Sequence, residues 1–559
     1  MTGIIQNSLT YRVLRRSAIL MVNSWHYSVL GRLNRFLKEN YETSFSKRVW
    51  LRFCSMEDKT AISVYGKFVE SMGNILYSVG RVLEQSLLYR FILMVGNAYF
   101  AATKGSILFK QINRLALRQW LLLALALYLP IDYLFRTRLN LGLVGALWEE
   151  LFIIAALGLI TWRKALRQRG TIVKVTPLDP YILLFMAVGL LLMSIVAPHP
   201  YIAMAGYRAT VEYMIWFFLI IRLLEDEKDF KVIFYGFMGV GILLSLHGIY
   251  QYIIGVPIPA GWVSQTEMGV RTRVFSLTGS PNILGSLMVL TAAPAASMVY
   301  YCKQIWAKLF FLAATGAMCL CLLFTFSRGA WVGMVAAVVI FALYMDKRLL
   351  GILGAAMASA LIFVPSITSR LTYLFTSDYA EASAVGGRAL RWTTGRLLLM
   401  ENSPWTGFGL GRFGGAVAMN NQVLEETEEF SYFYMDNYYL KVMVEMGYIG
   451  IAFFLLMVAG LLIWGARSVY RSGGPFIQGQ DPLIRAAGNV KALAIGIYAG
   501  LAGVLVHCYF ENIFEEPYMM AYFWSLAAML LYLGFFHKAE EAASSQGTGS
   551  CYLVPTPSR

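Results

Sequence analysis

The chain has 559 residues, of which 58% are hydrophobic and only 14% charged, with a mean hydropathy of +0.59. An ordinary soluble domain carries about 25% charged residues, and no soluble interior hides this much apolar surface, so the composition excludes a soluble enzyme and calls for a bilayer. The net charge of +15 does not point to nucleic acid, because no polar domain interleaves basic with aromatic residues; it fits the Lys- and Arg-rich inner loops of membrane proteins.

Residues 1–117 form the first region. Its first 115 residues hold 16 Lys/Arg against 6 Asp/Glu, and apolar residues recur at helical spacing in YGKFVESMGNILYSVGRVLEQSLLYRFILM. The pattern predicts basic amphipathic helices on the anionic inner leaflet, with 87–103 apolar enough to dip into it. The N-terminus lacks the order of a signal peptide.

Residues 118–537 read as an all-α, polytopic membrane domain of about twelve transmembrane helices. The apolar stretches fall near 118–135, 141–161, 181–197, 210–224, 231–253, 284–301, 308–325, 329–345, 349–366, 437–466, 489–508 and 517–536. The short pair at 181–197 and 210–224 is suited to a broken or tilted arrangement. Basic connections at 162–174, 302–308 and 346–348, with Arg467, Arg471, Arg485 and Lys491, all fall on one side of these spans. By the positive-inside rule that side is the cytoplasm, which puts both termini inside; RTR at 136–138 runs against the trend. The outer segments are then about 254–283, a long loop of about 368–436 between spans 9 and 10, and HCYFENIFEE at 507–516. Residues 538–559 read as a disordered cytoplasmic tail. No internal repeat of the kind seen in secondary transporters stands out.

Several arginines lie in or beside the outer segments. Arg271 and Arg273 occur in GVRTRVFSLTGSPN, Arg328 in FTFSRGAW, and Arg388, Arg391, Arg396 and Arg412 in GGRALRWTTGRLLLMENSPWTGFGLGRFGG. Arginine outside runs against the charge rule, and its planar fork holds phosphate bidentately at any relevant pH. The group therefore suits a diphosphate at the lipid headgroup level, although each arginine alone also fits a snorkelling or loop-bracing role. Arg328, between two apolar runs, leans to function because an ionisable group there is costly.

The glycine-rich TGFGLGRFGG follows no strand of a βαβ unit and is no dinucleotide fingerprint. It reads as a tight turn at the membrane surface that can still offer backbone N–H groups to an anion. In MDNYYLKVMVEMGYIG, Asp436 and Asn437 sit where the long loop re-enters the membrane. They fit either a helix cap or, for Asp436, a general base facing an acceptor hydroxyl. Glu445 falls deeper and suits the bundle interior, and Glu515 and Glu516 offer further carboxylates. The five histidines and six cysteines show no metal-ligand spacing, and no GxSxG elbow occurs, so neither a metal nor a cofactor is expected.

Taken in order, RTRVFSLTGSPNILG, FTFSRGAWVG, GGRALRW, PWTGFGLGRF and DNYYLKVMVEMGYIG resemble the O-antigen ligase and O-antigen polymerase superfamily of bacterial membrane glycosyltransferases, over roughly 180–535. The resemblance implies an enzyme of the bacterial cytoplasmic membrane. It would transfer or polymerise undecaprenyl-diphosphate-linked oligosaccharide on the outer face, in surface polysaccharide synthesis, without a metal. Arg273 or Arg271, Arg328 and Arg388, with Arg391 and Arg396 nearby, then hold the donor diphosphate. Arg396 with Gly407 matches the arginine–ten residues–glycine spacing of polymerases. Ligases carry His-Asn where this chain has Asp436-Asn437, which favours polymerase over ligase and casts Asp436 as the catalytic base. The partners implied are the lipid-linked glycan donor, a glycan or lipid-linked acceptor, the bilayer and a chain-length regulator. Two other classes compete: a flippase or polysaccharide exporter, which would concentrate polar residues at midplane, and a non-catalytic scaffold, which needs no outward arginines.

Overall fold

The computed structural model describes residues 115–166, 174–259, 272–363, 365–385, 387–422, 432–473 and 482–536, with 67, 71–75, 78 and 94 besides. Arg271, the amphipathic reading of the N-terminal region and the C-terminal tail lie outside the described residues. By contacts the chain divides into two units. One comprises Met1–Val82, Arg163–Val173 and Cys551–Arg559, of which 71–75 is helical. The other, Leu83–Trp162 with Lys174–Ser550, carries the elements described below apart from the last turn of the helix that ends at Leu166.

The regular elements of the described residues are helices. They run α1 (Leu117–Ala126), α2 (Tyr128–Tyr133), α3 (Leu143–Leu166), α4 (Asp179–Ile195), α5 (Pro200–Val211), α6 (Ile215–Leu223), α7 (Glu227–Ile254), α8 (Pro281–Tyr301), α9 (Ile305–Phe324), α10 (Arg328–Tyr344) and α11 (Arg348–Phe363). There follow α12 (Pro365–Thr372), α13 (Ser377–Val385), α14 (Arg388–Glu401), α15 (Ala416–Asn421), α16 (Tyr438–Ser472), α17 (Pro482–His507) and α18 (Pro517–Phe535). All twelve apolar stretches coincide with helices. Length and apolar composition qualify seven described helices as candidate membrane spans, or eight if α1 and α2, bent by 75°, form one broken span. The helices α4, α10 and α11 are apolar but shorter, so the count of about twelve is not reached by this measure. The 181–197 and 210–224 stretches resolve differently from the expected broken pair: α4 is separate, and Pro200–Leu223 makes one span across a 3-10 turn. Much of the expected long loop is itself helical, in α12, α13, α14 and α15.

Burial sorts the bundle. Within the apolar stretch of each helix, 89% of the residues are buried in α18, 83% in α8 and 78% in α17, against 28% in α9. The first three form the centre, and α9 presents apolar side chains outward, as a lipid-facing helix does. Lipid tails are as apolar as the helices, so close packing rather than the hydrophobic effect must hold the centre. Glycines supply it: a Cβ on Gly500 of α17 would lie 2.8 Å from the Leu290 carbonyl of α8, and one on Gly503 2.7 Å from the Gly333 carbonyl of α10.

The two ends of the bundle differ. At one end Arg118 pairs with Glu225, Asp226 at 2.8 Å and the fully buried Asp229 at 2.7 Å. The Asp226 carboxylate also caps α7 by accepting the Asp229 N–H at 2.8 Å. At the other end Arg136, which the charge rule had marked as anomalous, is neutralised by Asp132 at 2.7 Å and by Glu149. That second end gathers the residues singled out for function.

Candidate active site

Five stretches far apart in sequence meet there: the approach to α8, the α9–α10 turn, the start of α14, the start of α16 and the α17–α18 connection. Arg273 is 5% exposed. Its Nε donates to the Thr325 carbonyl at 3.0 Å and its Nη2 to Asn282 Oδ1 at 3.1 Å. Asn282, in the first turn of α8, passes the contact on by donating its Nδ2 to Glu511 Oε2. The backbone on either side of this joint is strained, with Ser276 at φ +48° and Phe326 at φ +52°. Such conformations cost about 1–3 kcal/mol and persist where surroundings over-determine them. At Ser276 the Gln251 carboxamide does so, accepting the Phe275 and Ser276 N–H groups at 3.0 and 2.7 Å.

Helix α14 supplies the second half. Arg388 donates from Nε to Asp436 Oδ2 and from Nη2 to the Phe510 carbonyl, each at 2.8 Å. Trp392, one turn on, donates to Asp436 Oδ1 at 2.9 Å. Arg391 Nη1 lies 4.0 Å from the same carboxylate and 5.9 Å separates its guanidinium from the Phe433 ring centroid. Both Asp436 oxygens are thus engaged, and the residue is 7% exposed. It does not cap α16; Asn437 does, its Oδ1 accepting the Leu440 N–H at 3.0 Å. The ambiguity of the Asp-Asn pair resolves into two different tasks.

Sequence reasoning passed over Glu511, four residues beyond His507. It is half-buried and stands within electrostatic reach of both Arg388 and Asp436. Burial, helped by the Asp436 charge, pushes its carboxyl up to about 6, against the opposing pull of Arg388, Asn282 and the Asn512 N–H. His507 is buried with Nδ1 at 2.6 Å from Ser286 Oγ. A Cβ on Gly329 would meet that ring and Phe510 at 2.8 and 2.7 Å, so the start of α10 sits directly on the α17 end. The available signal was an ionisable His–Glu pair at helical spacing where an apolar run stops.

The remaining expected residues are placed as follows. Arg328 opens α10, its guanidinium 5.4 Å from the Tyr379 ring centroid. Arg396 is exposed on α14 and does not join the contacts around Asp436. Arg412 folds back on its own loop, 4.0 Å from the Phe408 ring centroid, with Nη1 donating to the Phe408 carbonyl at 2.8 Å; burial lowers its guanidinium below the ordinary value.

The glycine-rich segment is more than a surface turn. Helix α16 opens at Gly447, at φ +67° and ψ −170°, and the segment is spliced into the gap. Phe408 and Gly409 donate to the freed Val444 and Glu445 carbonyls at 2.7 and 3.0 Å, and Tyr448 and Ile449 donate to the Pro404 and Trp405 carbonyls at 2.8 and 3.2 Å. Irregular backbone is tolerated at membrane depth only when its polar groups are satisfied inside the protein. A Cβ on Gly407, itself at φ +85°, would lie 2.5 Å from the Glu445 carbonyl, which explains that glycine without reference to Arg396. The segment does offer N–H groups to an anion, but the anion is its own chain's. Gly411 and Phe413 donate to Glu445 Oε1 at 3.0 and 3.3 Å, and Ala416 to Glu515 Oε1 at 2.6 Å. Lys441 closes the cluster, 3.3 Å from Glu445 and 3.2 Å from Glu515. Burial pushes the Glu515 carboxyl up, but Lys441 and the Ala416 N–H outweigh it and hold it below the ordinary value. Glu515 is therefore committed to structure.

These features define a multi-pass helical membrane protein with an arginine–carboxylate cluster at one end of its bundle. Residues 313–455 match the family model described as O-Antigen ligase, which supports the O-antigen ligase and polymerase superfamily and a membrane enzyme of that type. The matched stretch contains Arg328, Arg388, Arg391, Arg396, Gly407, Asp436 and Asn437, while Arg273 and Glu511 fall on either side of it. No curated protein matches the chain.

Proposed function

We propose that this protein transfers an oligosaccharide from a lipid diphosphate, of the undecaprenyl type, to a glycan acceptor at the outer face of the bacterial cytoplasmic membrane. Polymerisation is favoured over ligation, because Asp436 stands where ligases carry histidine. The observation that carries the reading is the convergence of Arg273 and Arg388, with Arg391 beside them, on one carboxylate-lined end of an apolar bundle. Guanidinium groups there suit a diphosphate whose negative charge grows as the glycosyl bond breaks, and fixed positive charge aimed at that change lowers the barrier. Arg328 and Arg271 belong to the same proposed grip. Asp436, shared between Arg388 and Trp392, orients the arginine.

The test is glycan transfer in proteoliposomes containing a lipid-diphosphate-linked oligosaccharide, with wild type beside Arg388→Ala. A ladder of longer lipid-linked glycans, reduced at least about a hundredfold in the variant, supports a polymerase. A single transfer to an added acceptor indicates a ligase. Movement of the donor across the bilayer with no new glycosidic bond would make the protein a flippase and reject the enzyme reading.

A further inference from the structure

Resting on the transferase reading above, we infer that Glu511, rather than Asp436, takes the proton from the acceptor hydroxyl during transfer. The argument starts from what each carboxylate already does. Asp436 is ion-paired with Arg388 at 2.8 Å, bonded to the Trp392 indole at 2.9 Å on its other oxygen, and nearly sealed from solvent. An acceptor hydroxyl could reach either Asp436 oxygen only by displacing Arg388 or Trp392. Glu511 forms no ion pair among the described residues and is more open. It receives the Asn282 amide on Oε2 and lies one residue past Phe510, whose carbonyl anchors Arg388. A diphosphate gripped by Arg388 and Arg273 would therefore have Glu511 between its two holders.

The charged and titratable groups facing Glu511 come from every neighbouring element. Arg388 reaches it from α14, Asp436 from the start of α16, and Arg273 acts through Asn282 of α8. His507 lies one turn back, accepting the Glu511 N–H at 3.1 Å through its carbonyl, and Arg328 precedes the glycine packed on that histidine. Burial by these elements keeps the carboxyl basic enough to receive a proton near neutral pH.

The step balances. The acceptor oxygen bonds to the anomeric carbon of the donor sugar. The bond from that carbon to the phosphate oxygen breaks, and its electron pair leaves with the lipid diphosphate. The hydroxyl proton passes to Glu511 and then to water, restoring the carboxylate. No oxidant, reductant or metal enters the balance.

The experiment measures kcat/KM against pH in the same proteoliposomes for wild type, Glu511→Gln, Glu511→Asp and Asp436→Asn. A base must be ionised to act, so wild-type kcat/KM should fall as pH drops through about 6, approaching tenfold per pH unit. Glu511→Gln should lower kcat by about 10²–10⁴, with little change in KM for the donor, and abolish the acid limb. Glu511→Asp should recover part of the rate with the limb displaced. Asp436→Asn, a positioning change, should slow transfer while keeping the limb. Glu511→Gln with a wild-type rate, or with the acid limb intact, overturns the inference and leaves the transferase reading standing. Should that variant fail to fold, an unaltered rate and unmoved limb in Glu511→Asp do the same. Absence of transfer by wild type across several donors would reject both.

Discussion

At the scale of single residues, the site rests on the shape of arginine as much as on its charge. Arg388 spans two acceptors in different directions, the Asp436 carboxylate and the Phe510 carbonyl, and its planar fork holds the two donors, Nε and Nη2, in a fixed relative geometry that a lysine ammonium lacks. Arg388→Lys should therefore reduce transfer by at least about tenfold despite keeping the charge; a rate within twofold of wild type would show that a point charge suffices. The arginines stood out in the sequence because, on the sidedness expected from loop charge, they contradict the charge rule. Glu511 offered only a weaker signal, its helical spacing from His507 at the end of an apolar run, which does not contradict the charge rule. Its significance comes from Asn282 and Phe510 lying beside it, and that adjacency is tertiary. The same holds for Asp436 and Asn437, where only the direction of each side chain separates a cap from an arginine partner.

At the scale of elements, the instructive case is the glycine-rich segment with α16. Apolar content predicted one continuous span over 437–466, and the span is there. Its interruption at Gly447 was invisible, because the glycine sits in an otherwise strong helical run and the backbone that fills the gap arrives from about forty residues earlier. What stabilises the splice is the buried Lys441–Glu445–Glu515 cluster. Lys441→Met should leave two buried carboxylates with one cation fewer and cost about 3–5 kcal/mol, read as a lowered midpoint of thermal unfolding in detergent. Adding Glu445→Gln should recover part of the loss, since the amide oxygen still accepts the Gly411 and Phe413 N–H groups. No recovery would mean that the cluster holds by packing rather than by charge balance.

At the scale of the whole molecule, the helical class and the position of every apolar stretch followed from composition and periodicity, because a bilayer leaves few options for apolar segments. The number of true crossings did not. Short helices such as α4, α10 and α11 satisfy the apolar pattern without the length, and pattern alone cannot separate a tilted or partial crossing from a full one. The bundle carries ion-paired charge at both ends, Arg118 with its three carboxylates at one and Arg388 with Asp436 at the other. Sidedness is proposed from loop charge, and cysteine labelling in intact cells checks it. With native thiols replaced, Glu401→Cys should react with an impermeant maleimide added outside, and Lys303→Cys only after permeabilisation. The reverse pattern would place the cluster in the cytoplasm and remove the lipid-linked donor reading.

The buried charge cluster also bears on how the protein is made. Lys441 and Glu445 emerge from the ribosome together, one helical turn apart, and can neutralise each other on entering the bilayer. Glu515 comes only with the connection to the last helix, and Lys441 then has two anions to satisfy. The first turns of α16 thus reach their final electrostatic balance only when synthesis is nearly complete. The hold on Arg388 by the Phe510 carbonyl waits on the same late segment. The proposed site is in this sense an end-of-synthesis assembly: a nascent chain stopped before the α17–α18 connection would carry most of its apolar helices without Phe510, Glu511 and Glu515, and so without the contacts that complete the cluster.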